Sequence, residues 1–281
     1  MPTIGEALKE AHELAKPYGI TAMDLRILIM HNEGFREQID VMFSKDKPML
    51  HYDLFKEQVQ RLINDEPVEY IIGEADFLGC RIKINENVLI PRGETEELIA
   101  GLTERIDDYY DPRNYLVCAD IGTGSGCIAV GLRQSFGNWL LVASDISEKA
   151  LEVAKQNFDH YNVRAQVLQG DALEPYIEQK INLDIIVSNP PYILNKEDAQ
   201  SSVRDFEPAS ALWLDKSHSV YESIFRDYKK VKQGTMFMAF EISPDLEEWL
   251  KDLMNKYLED YTYEFVKDLN GFVRFLYIFI K

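Results

Sequence analysis

Short apolar segments alternate with helical patterns in the second half of the chain, and this alternation restricts the fold more than any other feature. The apolar segments lie at residues 115–120, 139–145, 163–169 and 183–189. Helical patterns near 127–136 and 147–160 separate the first three. Strand–helix alternation of this kind predicts a parallel sheet that helices cover on both faces. We therefore predict an α/β fold.

Two further parts precede the alternating region. Residues 1–66 have the apolar spacing of helices and predict a small helical domain. Residues 67–92 predict a linker that contains a β-hairpin, because residues 77–84 alternate with period two. The α/β domain is then predicted to cover residues 93–281.

One helix of the first domain can be predicted in more detail. Proline is favourable at the first helical position, so a helix is predicted to run from Pro48 to Ile63. The apolar residues predicted to face inward from it are Leu50, Leu54, Phe55, Val59 and Leu62.

The charge of the chain restricts its partners. The 281 residues carry a formal net charge of -18, and the isoelectric point is near 4.7. A protein that binds duplex DNA usually carries positive charge that replaces the counterions of the phosphates. This chain would repel phosphates on average, so we expect no direct nucleic-acid partner. A neutral or basic protein partner fits the charge better.

The cysteines and the apolar runs indicate the compartment. Cys80, Cys118 and Cys127 form no close pair and no metal-type spacing, which predicts reduced thiols and no metal site. No apolar run approaches the roughly 20 residues needed to cross a bilayer. The first residues also lack the apolar stretch of a signal peptide. We therefore expect a cytoplasmic protein without a membrane partner.

A glycine-rich loop from Asp120 to Gly126 follows the first predicted strand and opens a helix. Glycines allow a tight turn and let a ligand approach the backbone closely. The spacing is G-x-G-x-G, whereas dinucleotide-binding loops have G-x-G-x-x-G. Asp120 can hold the cationic amino group of a methionyl moiety but would repel a diphosphate, which favours S-adenosylmethionine over NAD. The predicted ligand contacts in the loop are Gly122, Thr123, Gly124, Ser125 and Gly126.

The next two predicted strands also end in polar residues. The second ends at Asp145, 19 residues after Gly126, where an acid can accept hydrogen bonds from both ribose hydroxyls. An alternative role for Asp145 is to cap the following helix, although Ser147 can fill that role. The third strand is followed by Asp171 and Ala172, which we expect beside an adenine ring. Successive strand ends thus offer ligand groups along one edge of the sheet.

The fourth predicted strand ends in Asn189-Pro190-Pro191-Tyr192. The prolines have no N–H and restrict the residues before them, so this stiff turn presents carbonyl acceptors and almost no donors. Such a turn beside a methyl donor suits a substrate that brings an NH2 group. Oδ1 of Asn189 and the carbonyl of Pro190 can each accept one N–H, and Tyr192 can stack on the planar group. The alternative interpretation is a proline turn that only ends a buried strand.

These residues resemble the PrmC/HemK family of release-factor glutamine methyltransferases. The Asn-Pro-Pro-Tyr tetrad is shared by methyltransferases that act on planar NH2 groups, including DNA adenine enzymes, but several further segments resemble this family in particular. The similarity extends over about residues 67–280. The matching segments are Pro67 to Gly73, Phe77 to Gly79, Val88 to Arg92, Glu94 to Glu96, Glu207-Pro208, Ala211-Leu212, Asp268 to Gly271, and Arg274.

The resemblance implies a seven-stranded Rossmann-like sheet of the class I methyltransferase type, with the helical domain recognising the substrate. The implied reaction methylates the glutamine in the Gly-Gly-Gln tip of class-I peptide chain release factors. S-adenosylmethionine is the implied methyl donor, and S-adenosylhomocysteine is the product. The residues implied at the cofactor are Gly122 to Gly126, Asp145, Ala172 and Asn189. Those implied at the substrate are Asn189, Pro190, Pro191 and Tyr192, with Phe77 and Arg92 nearby.

Two other functions remain to be considered, and three departures from the family pattern bear on the first of them. Gly93 replaces a proline, Ser243 stands where glycine is common, and a glycine-rich stretch after Leu212 is replaced by WLDKSHSVYES. These departures would fit a binding module that keeps the fold without turnover, although both motifs are intact. A nucleic-acid adenine methyltransferase would share the motifs, but the acidic charge and the lack of a Lys/Arg cluster argue against it.

Overall fold

Nine strands form two sheets in the computed structural model, which describes residues 1–111 and 113–281. The strands are β1 (Glu74–Phe77), β2 (Cys80–Lys83), β3 (Val117–Ile121), β4 (Leu140–Asp145), β5 (Ala165–Gln169), β6 (Leu183–Ser188), β7 (Lys232–Glu241), β8 (Tyr261–Lys267) and β9 (Val273–Ile280). Strands β1 and β2 pair with each other, and the other seven form one sheet. The predicted α/β class and the seven-stranded sheet are confirmed.

The order of the strands in the large sheet is β5-β4-β3-β6-β7-β9-β8. Strands β3 to β7 are parallel to one another, whereas β9 runs antiparallel to both β7 and β8. The chain passes from β3 outward to β4 and β5, and then returns to β6 on the other side of β3. This change of direction between β3 and β6 is the topological switch point, where open α/β sheets bind ligands.

The carboxyl ends of the parallel strands lie level with one another. Ile121, the last residue of β3, pairs with both Ser144 of β4 and Ser188 of β6. Asp145 at the end of β4 pairs with Gln169 at the end of β5. The segments that follow β3, β4, β5 and β6 therefore all begin at the same edge of the sheet.

Helices surround the sheet and make up the N-terminal region. They are α1 (Ile4–Ala15), α2 (Ala22–Glu33), α3 (Gln38–Phe43), α4 (Tyr52–Ile63), α5 (Val68–Ile72), α6 (Gly93–Ile106), α7 (Cys127–Ser135), α8 (Glu148–Tyr161), α9 (Glu174–Glu178), α10 (Ser201–Phe206), α11 (Ala209–Leu212), α12 (Val220–Asp227) and α13 (Glu247–Tyr257). Strands β3 and β6 are buried along almost their whole length, which explains why their sequences are continuously apolar. Within the described residues, no helix combines the length and apolarity needed to cross a membrane.

The chain divides into two units with separate cores. The first comprises residues 1–74 and 200–206, and the second comprises residues 75–199 and 207–281. The predicted domain boundaries after residues 66 and 92 stay a prediction.

The first two helices of the first unit begin at N-terminal capping boxes. Helix α1 begins at a capping box in which Thr3 and Glu6 exchange side-chain and backbone hydrogen bonds. Thr21 and Asp24 form the same arrangement at the start of α2. Each box satisfies backbone N–H groups that a helix leaves unpaired at its first turn. These local signals fix where the two helices begin.

The predicted start of α4 is wrong. The helix begins at Tyr52 rather than at Pro48, which instead forms an isolated bridge with Thr3. Leu50 and Leu54 are 69% and 46% exposed, so they do not face the core. The favourable position of proline at a helix start did not decide the boundary, because Pro48 pairs with the extended residues before α1. The other predicted inward residues, Phe55, Val59 and Leu62, are buried.

Candidate active site

A cavity lies at the carboxyl edge of the large sheet, where the segments after β3, β4, β5 and β6 meet. We call it the sheet-edge cavity, and it is also lined by residues from the segments before α6 and around α11. Most of the predicted site residues line it. Those residues are Arg92, Gly122, Thr123, Gly124, Ser125, Asp145, Asp171, Ala172, Asn189, Pro190 and Pro191.

The glycine loop opens its backbone toward this cavity. The backbone φ angles of Gly122, Gly124 and Gly126 are 70°, 54° and 82°, in a region that residues other than glycine rarely adopt. A Cβ added at Gly122 or Gly124 would meet no atom within 4 Å, whereas one added at Gly126 would lie 2.7 Å from the ring of Phe158. The first two glycines therefore leave space for a ligand, and the third allows α7 and α8 to pack closely.

Asp145 holds the glycine loop to the end of β4. Its Oδ2 accepts a hydrogen bond from the backbone N–H of Gly124 (2.9 Å), and its Oδ1 accepts one from the backbone N–H of Ser147 (2.9 Å). Ser147 itself caps α8 by accepting from the N–H of Ala150 (3.2 Å). Burial raises the pKa of Asp145, and these backbone donors oppose that rise. Because Asp145 lines the cavity and Ser147 provides the cap, the carboxylate is free for a ligand as well.

Asp120 lies beneath the glycine loop rather than on the cavity wall. Its buried Oδ2 accepts from the hydroxyl of Thr123 (2.6 Å) and from the backbone N–H of Ala129 (3.1 Å). Its Oδ1 is buried without a hydrogen-bond partner among the described residues. Burial raises the pKa of this carboxyl to about 7. A cationic group at the loop would favour the charged form of Asp120, and the unpaired oxygen therefore fits the amino group of a methionyl moiety.

The proline tetrad begins directly after β6. Asn189, Pro190 and Pro191 all line the sheet-edge cavity, and neither proline can donate a backbone hydrogen bond. The Nδ2 of Asn189 donates to Oγ1 of Thr95 at the start of α6 (3.0 Å). The other end of that amide, the acceptor Oδ1, has no donor among the residues that the structure describes. We call the turn formed by Asn189, Pro190 and Pro191 the proline corner. It is rich in acceptors, as its sequence predicts.

The buried carboxylate of Glu241 links Asn189 and Tyr192, the first and last residues of the tetrad, and Thr95 forms the bridge to Asn189. The hydroxyl of Thr95 donates to Oε2 of Glu241 (2.6 Å), and the hydroxyl of Tyr192 donates to Oε1 of the same residue (3.0 Å). Glu241 is the last residue of β7, and its side chain is completely buried. Burial raises its pKa, while the hydrogen bonds from Thr95 and Tyr192 and the charge of Arg274 oppose that rise.

A second buried carboxylate fixes the segment before α6. Glu207 forms an ion pair with Arg92, whose guanidinium borders the cavity. The other oxygen of Glu207 accepts from the backbone N–H of Ile90 (3.2 Å). Glu207 is followed by Pro208, and Pro208 also lines the cavity. This pair thus joins two cavity-lining segments that are 115 residues apart in the chain.

Four predicted site residues do not line the cavity. Asp120 lies beneath the loop, and Gly126 faces Phe158 of α8, as described above. Tyr192 is largely buried and turns its hydroxyl toward Glu241. Phe77 is buried and packs near Gly131 of α7. The roles predicted for these four residues stay predictions, as do those of the residues that line the cavity.

Thr95 and Glu241 were not predicted as site residues. Glu241 follows the buried apolar run MFMAF at the end of β7, and an acid at that position is a signal that the sequence does contain. Thr95 stands in the matching segment Glu94 to Glu96, but no role was predicted for its side chain. Ser147 and Gly170 also line the cavity without having been predicted as ligand contacts.

Comparisons with known proteins find methyltransferases. The family model of the methyltransferase small domain matches residues 106–237. The chain is 36% identical over 277 residues to the release factor glutamine methyltransferase of Bacillus subtilis, with 96% of each chain covered. It is 34% identical over 270 residues to the protein of the same name from Staphylococcus aureus, with 95% of each covered.

Solved structures show the same fold at lower sequence identity. A methyltransferase from Pyrococcus furiosus matches with a TM-score of 0.50 and 16% identity, covering 80% of this chain and 98% of that one. The catalytic domain of hMettl16, solved in complex with a 3′UTR hairpin, matches with a TM-score of 0.52 and 16% identity, covering 81% and 82%. At this identity the likeness concerns the fold alone.

Proposed function

The chain belongs to the family of release factor glutamine methyltransferases, and we propose that its sheet-edge cavity and proline corner carry out this methylation. The reaction uses S-adenosylmethionine to methylate the side-chain amide nitrogen of a release-factor glutamine. We propose that this glutamine is the one in the Gly-Gly-Gln motif of a class-I peptide chain release factor, which is the protein partner. The proposal rests on one observation: Asn189, Pro190 and Pro191 line the same cavity as the open glycine loop.

Residues after three strands would hold the methyl donor. The backbone of Gly122 to Ser125 would border the methionyl part, and Asp120 beneath the loop would supply negative charge for its amino group. Asp145 would accept from the ribose hydroxyls, while Asp171 and Ala172 would border the adenine ring. When bound, S-adenosylmethionine supplies a methyl group that its positively charged sulfur makes electrophilic.

The proline corner would hold the substrate amide. An amide nitrogen is a poor nucleophile because its lone pair is delocalised, so its position and the charge around it decide the rate. Oδ1 of Asn189 and the carbonyl of Pro190 can accept the two N–H groups and stabilise the positive charge that develops on nitrogen. No strong base is needed, since the nitrogen becomes acidic only as the new C–N bond forms.

A nucleic-acid amino-group methyltransferase is not favoured. The relatives that match almost the whole chain are named for release factors, and the net charge of -18 opposes binding to phosphates. An assay with S-adenosylmethionine that carries a tritium-labelled methyl group distinguishes the two functions. It compares the label transferred to release factor with the label transferred to duplex DNA. Label on DNA with none on release factor would overturn the proposal.

Mass spectrometry tests the proposed substrate directly. A class-I release factor is incubated with the protein and S-adenosylmethionine, digested with trypsin, and the peptide that contains Gly-Gly-Gln is fragmented. We expect its glutamine to gain the mass of one methylene group. A release factor with that glutamine replaced by alanine serves as the control, and equal methylation of the control would contradict the assignment.

A further inference from the structure

We propose that Thr95 and Glu241 are positioning residues, which orient the Asn189 amide so that its oxygen faces the substrate nitrogen. This inference rests on the proposed function. The three residues come from different elements, namely the start of α6, the end of β7 and the segment after β6. Their side chains form a continuous chain of hydrogen bonds that also reaches Tyr192.

The orientation follows from counting protons. A threonine hydroxyl has one proton to donate, and Thr95 donates it to Oε2 of Glu241. Its oxygen can then only accept, so the end of the Asn189 amide that faces Thr95 must be the NH2 end. The acceptor Oδ1 is thereby left for the substrate. Without the carboxylate, the hydroxyl of Thr95 could donate to Asn189 instead, and the amide could rotate by half a turn.

The burial of Glu241 favours a functional role over a structural one. Its side chain is 0% exposed at the end of a strand whose other buried residues are apolar, and a buried carboxylate costs stability unless it is paired. Within the part of the chain that the structure describes, Glu241 has no ion pair, and the nearby Arg274 pairs with Asp268. The hydroxyls of Thr95 and Tyr192 are therefore its side-chain hydrogen-bond partners.

The charge of Glu241 also has the right sign for the reaction. Positive charge develops on the substrate nitrogen as the methyl group arrives, and the proline corner holds that nitrogen. Glu241 is connected to Asn189 through the hydroxyl of Thr95, and it accepts a hydrogen bond directly from Tyr192. A carboxylate in a buried setting polarises the hydrogen-bond chain and makes Oδ1 of Asn189 a stronger acceptor.

Turnover of variants at Thr95 and Asn189 tests the coupling. We expect Thr95→Val to lower kcat on release factor by roughly 30-fold or more at saturating donor, as for the loss of a preorganised group. Thr95→Ser should restore most of the lost turnover, because serine keeps the hydroxyl. Thr103→Val is the matched control, since the Thr103 hydroxyl lies on the same helix and donates only to the carbonyl of Ile99.

The double variant distinguishes positioning from a general structural effect. If Thr95 acts through Asn189, Thr95→Val adds little to Asn189→Ala, and the double variant should be within roughly 3-fold of the slower single variant. Multiplication of the two effects would overturn the inference, as would a Thr95→Val variant with unchanged kcat.

A readout that needs no turnover separates this inference from the proposed function. The side-chain NH2 resonances of Asn189 are identified in 15N-labelled protein by their loss in Asn189→Ala. We expect their exchange with solvent to be roughly 10-fold faster in Glu241→Gln and Thr95→Val and unchanged in Thr103→Val. Unchanged exchange in both active-site variants would overturn the inference, whether or not the protein methylates release factor.

Discussion

The backbone N–H of Gly124 donates to Oδ2 of Asp145, so the loop after β3 and the acid after β4 are joined by one 2.9 Å hydrogen bond. The second oxygen of Asp145 accepts from the N–H of Ser147 at 2.9 Å. A carboxylate has about four acceptor positions, so both oxygens can still accept from a ligand. Asp145 therefore joins the loop to the end of β4 and keeps acceptor positions for the ribose contact that we propose.

Replacing Asp145 should weaken donor binding more than it weakens the fold. We expect Asp145→Ala to raise the Kd for S-adenosylmethionine by roughly 100-fold, since hydrogen bonds to charged groups contribute about 1.5–3 kcal/mol each. Isothermal titration calorimetry measures the Kd, and thermal unfolding without donor measures the stability. Glu152→Ala, on the exposed side of α8, is the matched control. An unchanged Kd in Asp145→Ala would contradict the ribose assignment.

Asp120 should make the stability of the protein depend on pH. Burial raises the pKa of its carboxyl to about 7, above the ordinary value of 3.8, so the folded state holds the proton more tightly. Its contribution to stability is therefore greatest below pH 3.8 and is lost as the pH rises through about 7. Over that window we expect the free energy of unfolding to fall by roughly 4 kcal/mol on account of this group.

Urea denaturation of Asp120→Asn checks this dependence. The variant lacks the titrating group, so its stability relative to the unsubstituted protein should increase as the pH is raised from about 4 to about 8. A stability difference that stays constant over this range would show that Asp120 does not titrate as its burial predicts.

The same carboxyl should release a proton when the methyl donor binds. Below the pKa of about 7, Asp120 is mostly protonated in the free protein, and a bound cation favours the charged form. We expect the affinity for S-adenosylmethionine to rise between about pH 5 and 7, by up to roughly 10-fold per pH unit. Calorimetry in two buffers with different ionisation enthalpies measures the protons released. Equal release by Asp120→Asn would assign the proton to another group.

The Arg92–Glu207 pair should stabilise the second unit. Because the Glu207 side chain is almost completely buried, Arg92→Ala takes the ion-pair partner from a buried carboxylate, and we expect it to cost roughly 3 kcal/mol of stability. Glu207→Ala should cost less, because Arg92 is partly exposed and water can solvate the charge left behind, and the double variant should cost less than the sum of the two. Chemical denaturation of the unsubstituted protein, the two single variants and the double variant gives the coupling energy by a double-mutant cycle. Additive losses would show that the two side chains are not coupled.

The sheet and most of the cavity could be predicted because their signals are local. Apolar segments at regular spacing predict the parallel strands, and parallel strands end at a common edge. The glycines of the loop and the two prolines of the corner restrict the backbone directly. Residues such as Gly122, Asp145 and Asn189 could therefore be placed at the cavity without a structure, and all three line it.

The chain of hydrogen bonds behind Asn189 could not be predicted in the same way. Thr95 and Glu241 lie 146 residues apart, and only the packing of α6 against β7 brings them together. The start of α4 was missed for a related reason, since Pro48 is held by the distant Thr3. Contacts of this kind depend on tertiary structure, which periodicity along the chain does not contain.

If the proline corner supplies acceptors to the amide nitrogen, Asn189→Ala should lower the rate of methyl transfer to release factor. Single-turnover rates are measured with donor and release factor both saturating, and the Kd for the donor is measured separately. We expect the rate to fall by at least ~100-fold, comparable to the loss of one oxyanion-hole donor, while the Kd changes less. A rate close to that of the unsubstituted protein would show that the corner only ends a strand.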